Sequence, residues 1–153
     1  MSYSIGQIEG IGKAWAELEP LFRELHEHHE PLIGHKLLPN WVARQSSYYE
    51  SQTPMLILVA RIGGEAIGFM NGRVIRDPEV FEEAYGFIDN AYVRPPSRRK
   101  GVGRALLRRA EAWYESNGVA EIRLSVYAAN NLGVRFWELA GFEPQSITMR
   151  KAL

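Results

Sequence analysis

The first third of the chain has the hydrophobic spacing of helices. Apolar residues recur at three- and four-residue steps within residues 15–29, at Trp15, Leu18, Leu21, Phe22 and Leu25. This spacing places them on one face of an amphipathic helix. A weaker helical pattern covers residues 40–51. The sequence therefore predicts two helices ahead of the first long apolar run.

Short apolar or alternating runs follow, and each is typical of a β-strand. Gly63 and Gly64 separate the first two runs, which predicts a hairpin turn. Pro95 and Pro96 end the third run, because proline has no N–H to donate to a neighbouring strand. The predicted strands cover residues 55–61, 66–75, 85–93, 121–127 and 146–153.

Two more helices are predicted between the later strands. Val102, Leu106, Ala110 and Trp113 follow at helical steps, and Asn117-Gly118 is a suitable stop. A shorter helix is predicted over residues 132–140. The strand–helix–strand order makes the third and fourth strands parallel neighbours joined by a right-handed crossover. We therefore predict an α/β fold with a mixed sheet, in a single domain over residues 1–153.

Charge and composition exclude several classes of protein. Lys+Arg and Asp+Glu both number 18, so the formal net charge is zero, which disfavours a nucleic-acid binder. The chain has no cysteine, which excludes disulfides and thiolate chemistry. The N-terminal residues lack the pattern of a signal peptide, and no apolar run is long enough to span a bilayer. We expect a cytoplasmic protein with no membrane partner.

The stretch "RPPSRRKGVGRALLRRA", residues 94–110, carries the chemistry. Basic residues crowd the start of the predicted third helix, although the positive end of a helix dipole favours acidic residues. A bound anion would remove this conflict, and Gly101 and Gly103 would let it approach the backbone N–H groups. The arrangement therefore predicts an anion site, with a solvated basic helix face as the alternative.

Other phosphate motifs fit this stretch poorly. A Walker loop would require Gly-Lys followed by Ser or Thr, and a dinucleotide fingerprint would require a third glycine where Leu106 stands. A single-strand nucleic-acid site would interleave aromatic residues with the basic ones, and residues 94–110 contain none.

The same residues resemble motif A of the GCN5-related N-acetyltransferases, the GNAT superfamily. The R/Q-x-x-G-x-G/A pattern fits at Arg98, Gly101 and Gly103, and "NNLGVRFWELAGF" is similar to the family's second motif. The resemblance implies a mostly antiparallel sheet with helices on both faces. It also implies a central parallel strand pair that splays apart to admit acetyl-CoA. A homodimer is common among proteins of this kind.

The resemblance also implies which residues hold acetyl-CoA. Backbone N–H groups around the glycines would bind the pyrophosphate, the edge of the third strand would pair with the pantetheine arm, and Asn130 would contact that arm. Gly133 stands where the family usually has alanine. The expected cofactor residues are Ala91, Tyr92, Val93, Arg98, Arg99, Lys100, Gly101, Val102, Gly103, Arg104 and Asn130.

Acetyl transfer to an amine requires removal of a proton, since alkyl amines have a pKa near 10. Asp89, on the predicted third strand, is the candidate base, with a solvated aspartate as the alternative. Trp137 stands where the family commonly has a tyrosine that serves as the general acid. Tyr127 is therefore a candidate substitute acid, although a packing role or a reaction without an acid remains open. The implied function is N-acetylation of a primary amine, with a non-catalytic CoA-binding domain as the alternative.

The run "HEHHE" at residues 26–30 invites a metal interpretation. A zincin motif would need histidine where Glu30 stands, and no third ligand is evident. We interpret the run as a solvated helix end and predict no metal.

Overall fold

The computed structural model of the chain describes residues 2–52, 54–77 and 79–153. The elements run from an N-terminal strand to a C-terminal helix. In chain order they are β1 (Ser4–Gln7), α1 (Ile11–Ile33), α2 (Trp41–Glu50), β2 (Met55–Ile62), β3 (Glu65–Ile75), β4 (Tyr85–Val93), α3 (Val102–Ser116), β5 (Ile122–Leu124) and α4 (Asn131–Leu139).

The strands form one five-stranded sheet in the order β1-β2-β3-β4-β5. The first four strands are antiparallel to their neighbours, and β4 and β5 are parallel. Gly63 and Gly64 connect β2 to β3 with φ angles of 57° and 85°, the left-handed geometry that a tight hairpin turn requires. The predicted mixed sheet with one parallel pair is confirmed.

Two buried clusters lie on opposite faces of the sheet. Alternate residues of β2 face opposite ways, so Ile57 and Val59 pack with α1 while Leu56 and Leu58 pack with α3. Phe22 of α1 stacks on Phe69 of β3 with ring centroids 4.6 Å apart. The predicted helices on both faces are therefore confirmed. No helix within the described residues has the length and hydropathy to cross a membrane.

The N-terminal region differs from the prediction. Strand β1 was not predicted, because its four residues are partly exposed and carry no clear alternation. Helix α1 is longer than residues 15–29 and continues through Pro20 and Pro31. Its N-terminal extension is stabilised by the buried Ile11 and Ala14. Tertiary packing thus lengthens the helix beyond the segment that local signals identify.

The predicted last strand is wrong. Residues 146–153 form no strand, and residues 143–153 are all exposed. Ile147 and Met149 are 86% and 88% exposed, and Arg150 Nη1 donates to the carbonyl of Ile33 at 2.8 Å. Alternating apolar residues form a strand only when a sheet edge pairs with them, and this segment lies against the end of α1 instead. The β4–β5 pair consequently ends the sheet at its edge.

A bulge in β4 opens the sheet at its parallel side. Asn71 of β3 pairs with Asn90, whereas the next residue, Gly72, pairs with Ile88, so Asp89 is the extra residue. Pairing between β4 and β5 covers residues 86–88 of β4 and ends at Leu124 of β5. Beyond Ile88, β4 continues to Val93, and no described residue of β5 pairs with it there.

Helix α3 is packed directly over this bulge. Tyr114 Oη donates to the carbonyl of Phe87 at 2.7 Å. A Cβ at Gly86 would lie 2.6 Å from the Tyr114 ring, and one at Gly72 would lie even closer to the Tyr114 hydroxyl. The two glycines therefore let α3 approach the sheet closely, which fixes the position of the bulge relative to the helix.

Candidate active site

Residues 98–104 connect β4 to α3 and include the first residues of that helix. Their backbone is suited to an anion. Arg99 and Gly101 both have left-handed φ angles, of 61° and 81°. The first helical bond runs from Ala105 N–H to the carbonyl of Gly101 at 3.0 Å, so the N–H groups before it lack a helix partner. No side chain of the described residues caps this helix end. We call residues 98–104 the glycine turn.

Side chains of the glycine turn divide into two groups. Arg98 Nε donates to the carbonyl of Val93 at 2.7 Å, and its guanidinium lies 5.6 Å from the centre of the Tyr92 ring. It therefore holds the turn against the end of β4. Arg99 and Lys100 are exposed. Their charges lie at the surface beside the unpaired N–H groups.

The two glycine positions of the motif each require glycine, but for different structural reasons. Gly101 needs its left-handed φ, and the nearest atom to an added Cβ is Tyr3 Oη at 3.6 Å. Gly103 has no such φ, but an added Cβ would lie 3.1 Å from the Phe136 ring of α4. Gly101 therefore shapes the turn, whereas Gly103 allows α3 and α4 to pack closely.

The strand edge expected to hold pantetheine is open. Ala91, Tyr92 and Val93 pair with β3 on one side. On the other side the described residues of β5 pair with β4 only as far as Ile88. The free edge begins at the bulge and runs toward the glycine turn.

Asn130 has a structural partner of its own. Its Oδ1 accepts a hydrogen bond from Gly133 N–H at 3.1 Å, which caps α4. A Cβ at Gly133 would lie 2.6 Å from Asn130 Nδ2. Glycine in place of the family's usual alanine therefore leaves room for this side chain.

Asp89 is a buried carboxylate at the bulge. Its side chain is 7% exposed, and Oδ1 lies 3.1 Å from Arg73 Nη2. Asp89 Oδ2 and Arg73 Nε are buried and have no hydrogen-bond partner in the part of the chain that the structure describes. Burial raises the pKa of Asp89, and the Arg73 charge opposes that rise in part. A solvated strand-face aspartate, the alternative interpretation, does not describe this residue.

Polar side chains from three elements surround Asp89. Arg73 Nη1 donates to Gln52 Oε1 at 3.0 Å, and its guanidinium lies 5.8 Å from the centre of the Tyr48 ring. Next to Asp89, Asn90 Nδ2 donates to Tyr49 Oη at 2.8 Å and to Asn71 Oδ1 at 3.0 Å. We call this set the bulge cluster: Tyr48, Tyr49, Gln52, Asn71, Arg73, Asp89 and Asn90.

Tyr127 lies after β5 and faces α1. It is 41% exposed, and its ring meets the His29 ring edge-on with centroids 5.2 Å apart. Burial, together with the neighbouring His28 and His26, lowers the pKa of His29 to about 4. Asp89 contacts Arg73, whereas Tyr127 contacts His29. The two candidate catalytic residues therefore have different partners.

The run "HEHHE" is only partly solvated, which corrects its interpretation as a solvated helix end. His26 Nδ1 lies 2.9 Å from the carbonyl of Phe22, and its ring packs on Trp41 with centroids 4.5 Å apart. With His29 it joins α1 to α2 and to the segment after β5. Within residues 2–52, 54–77 and 79–153, no three His, Asp or Glu side chains are placed to bind a metal.

Trp137 packs rather than pointing freely into the opening. Its ring meets those of Phe136 and Phe142 at 4.8 Å and 5.2 Å between centroids. It also contacts the cluster on the α3 face of the sheet. These contacts account for a large aromatic residue at this position.

The sequence pattern of one protein family matches most of the chain. The family described as "Acetyltransferase (GNAT) family" matches residues 15–142. The chain belongs to the GNAT acetyltransferase family. The match includes the glycine turn, the bulge and α4, so the resemblance based on two motifs is confirmed.

Individual relatives agree with this GNAT assignment. Aminoglycoside N(6')-acetyltransferase type 1 of Klebsiella aerogenes is 33% identical over 94 residues, which cover 58% of this chain and 60% of that protein. The fold is similar to that of the tetramutant BH1408 protein from Bacillus halodurans, with a TM-score of 0.82 at 20% identity, covering 98% and 99% of the two chains.

A further solved structure with this fold holds a CoA-derived ligand. It is the enzyme AAC(6')-Iy in complex with the bisubstrate analogue CoA-S-monomethyl-acetylneamine. Its TM-score is 0.75 at 18% identity, with full coverage of both chains. The GNAT fold of this chain is therefore shared with proteins solved with CoA derivatives.

Several site residues escaped the sequence analysis. Arg73 and Asn71 stand in the predicted strand over residues 66–75, where polar residues within a largely apolar run were the only signal in the sequence. Tyr48, Tyr49 and Gln52 belong to the weaker predicted helix or follow it. Their proximity to Asp89 depends on tertiary packing, which no local motif encodes.

Proposed function

We propose that the chain is an acetyl-CoA-dependent N-acetyltransferase that transfers the acetyl group directly to a primary amine. One observation carries the proposal: the open edge of β4 runs from a buried carboxylate, Asp89, to a turn rich in unpaired N–H groups. A donor extended along this edge would place its phosphates and its reactive end at two suitable places. Membership of the GNAT family supports the same reaction.

The residues present fit acetyl-CoA. The glycine turn offers N–H groups without helix partners, and successive groups of this kind in a left-handed turn bind anions. The position of a Gly101 Cβ is open, with no atom nearer than 3.6 Å. The proposed contacts are the backbone of residues 98–104, the edge at Ala91, Tyr92 and Val93, and the side chain of Asn130.

When bound, acetyl-CoA supplies an activated thioester. Asp89 Oδ2 accepts a proton from the acceptor's ammonium group, which frees the lone pair of the nitrogen for attack. N–H groups of the open edge near Ala91 and Val93 donate to the oxygen that becomes negative. Tyr127 is the proposed acid that protonates the leaving thiolate, because Trp137 is engaged in packing and an indole is no practical acid.

A non-catalytic CoA-binding domain is the second candidate. The packed Trp137, in place of the family's usual tyrosine, favours it. Both candidates bind acetyl-CoA, so binding alone does not separate them, whereas turnover does.

The deciding experiment combines both readouts on the wild-type chain. Acetyl-CoA should raise the melting temperature, and a panel of amines that includes aminoglycosides, polyamines and amino-terminal peptides should release CoA. Aminoglycosides belong in the panel because the Klebsiella relative is named for them. A thermal shift without release by any amine would support the regulatory domain. The absence of a thermal shift would contradict both candidates.

Further proposals concern the chain as a whole. We propose that residues 1–153 act as one GNAT domain in the cytoplasm and without nucleic acid. A homodimer is supported by exposed apolar side chains after α4, where Ile147 and Met149 are 86% and 88% exposed. Light scattering coupled to size exclusion should give twice the monomer mass, and Ile147→Asp with Met149→Asp should reduce it.

A further inference from the structure

The bulge cluster contains an ion pair that is incompletely used. Arg73 and Asp89 meet through one atom each, Nη2 and Oδ1, at 3.1 Å. Among residues 2–52, 54–77 and 79–153, the other carboxylate oxygen, Oδ2, and the remaining guanidinium donor, Nε, are buried without a partner. Unpaired buried polar atoms are costly and rare, and they call for an explanation.

The position of Arg73 is fixed from outside the sheet. Gln52, just after α2, accepts from Nη1 at 3.0 Å, and the Tyr48 ring lies beside the guanidinium. Gln52 holds Nη1, and Arg73 reaches Asp89 through Nη2 alone. Among the described residues, this arrangement leaves Oδ2 of Asp89 without a partner.

We propose that Arg73 is a positioning residue of the acceptor site: it orients Asp89 through Oδ1 and leaves Oδ2 for the acceptor's ammonium group. This inference rests on the proposed function, because it gives Asp89 the role of the base. In the proton transfer, an N–H bond of the ammonium breaks, an O–H bond forms at Oδ2, and the electron pair stays on nitrogen.

Charge around Asp89 comes mainly from this one residue. The titratable groups that face the bulge cluster are Arg73 on β3, Tyr48 and Tyr49 on α2, and Tyr114 on α3. Burial raises the pKa of Tyr49 to about 12 and also raises that of Tyr114, so both are neutral near pH 7. Arg73 is thus the charge that opposes the effect of burial on Asp89.

Removing that charge should raise the pKa of Asp89. A carboxylate near an opposite charge has its pKa lowered by about one to three units, so Arg73→Gln should shift the Asp89 midpoint upward by an amount in this range. Arg73→Lys should shift the Asp89 midpoint upward by less than Arg73→Gln does. Arg76→Gln is the matched control, since Arg76 is exposed and lies three residues further along the chain.

The test is a carbon-13 NMR titration of the labelled aspartate carboxyl groups without substrate, with Asp89 assigned through Asp89→Asn. An upward shift in Arg73→Gln but not in Arg76→Gln is the expected result. An unchanged or lower midpoint in folded Arg73→Gln would overturn the inference. If Arg73→Gln does not fold, Gln52→Ala is the second variant, because it removes the partner of Arg73 Nη1. It should move the titration midpoint of Asp89, and an unchanged midpoint would overturn the inference equally.

The pH profile of kcat/KM then separates the two proposals. If its acidic limb moves with the NMR midpoint, Asp89 is the base and Arg73 sets its ionisation. If the midpoint moves and the limb does not, the inference about Arg73 stands and the assignment of Asp89 as the base fails.

Discussion

The glycine turn and the bulge cluster lie toward the two ends of the open edge of β4 but are built in opposite ways. The glycine turn consists of backbone from consecutive residues, with Arg99 and Gly101 in left-handed conformations. The bulge cluster consists of side chains from α2, β3 and β4 around the buried Asp89. One region offers N–H groups to an anion, and the other offers a carboxylate to a cation.

This difference teaches which substitutions each region tolerates. A backbone site depends on conformation, so it should withstand the loss of single exposed side chains such as Lys100 and be sensitive to glycine replacement. A side-chain site depends on the identity of each group. Substitutions in the two regions should therefore affect acetyl-CoA binding and turnover separately.

The largest effect should come from Asp89→Asn. Loss of a positioned base typically lowers turnover by about 10²- to 10⁴-fold. We expect CoA release to fall within this range while acetyl-CoA binding, measured by calorimetry, stays within about twofold. Glu82→Gln is the control, because Glu82 is exposed in the loop before β4. An equal loss of CoA release in Asp89→Asn and Glu82→Gln would contradict a specific role for Asp89.

Gly103→Leu should lower stability rather than act only through the cofactor. The new side chain would press on Phe136, whose ring already lies 3.1 Å from the position of a Cβ. Overpacking of this kind costs about 1–3 kcal/mol in the free energy of unfolding. Urea titration without cofactor should detect the loss, and Arg108→Leu on the exposed side of α3 should show little. A stable Gly103→Leu protein would contradict the packing role.

Tyr127→Phe should have a smaller effect on rate. The ring contact with His29 is kept, and only the hydroxyl is lost. A thiolate is a tolerable leaving group, so we expect kcat to fall by about tenfold, below the usual range for a general acid. Steady-state kinetics across pH should show KM unchanged. An unaltered kcat would mean that the reaction proceeds without Tyr127 as an acid.

The packed His29 should also make stability depend on pH. The pKa of His29 falls from 6.5 to about 4, so the folded chain binds its proton less readily than the unfolded chain. This contribution to stability is present above pH 6.5 and is lost as the pH falls toward 4. Wild type should therefore lose stability over this window more steeply than His29→Phe. Equal slopes in urea titrations at pH 7, 6, 5 and 4.5 would argue against a buried, neutral His29.

The same contrast explains what the sequence could predict. The glycine turn was predicted in position, since its residues are consecutive and stand between a strand and a helix. The parallel pair also followed from local periodicity and element order, whereas the helices on both faces were implied by the resemblance to the GNAT superfamily. Arg73 and Gln52 could not be assigned to Asp89, because their contact depends on the register of β3 with β4 and on the docking of α2.

The failed last strand has a related cause. Residues 146–153 have the composition of a strand, but pairing depends on an available edge, and Arg150 instead contacts the end of α1. Likewise the histidines of α1 looked solvated, although Trp41 and Tyr127 cover two of them. Local patterns predict the elements well, while the partners of each side chain depend on distant parts of the chain.

The most direct test of the glycine turn as a backbone-built site is acetyl-CoA binding to variants of the two glycines that flank α3. Gly101→Ala and Gly118→Ala both place a side chain at a left-handed φ, 81° and 74°, at the two ends of the same helix. Each should lose about 1–2 kcal/mol of stability from this strain. Calorimetry should show at least tenfold weaker acetyl-CoA binding for Gly101→Ala only, a loss of about 1.4 kcal/mol. Equal affinity in both variants and the wild type would contradict the glycine turn as the cofactor site.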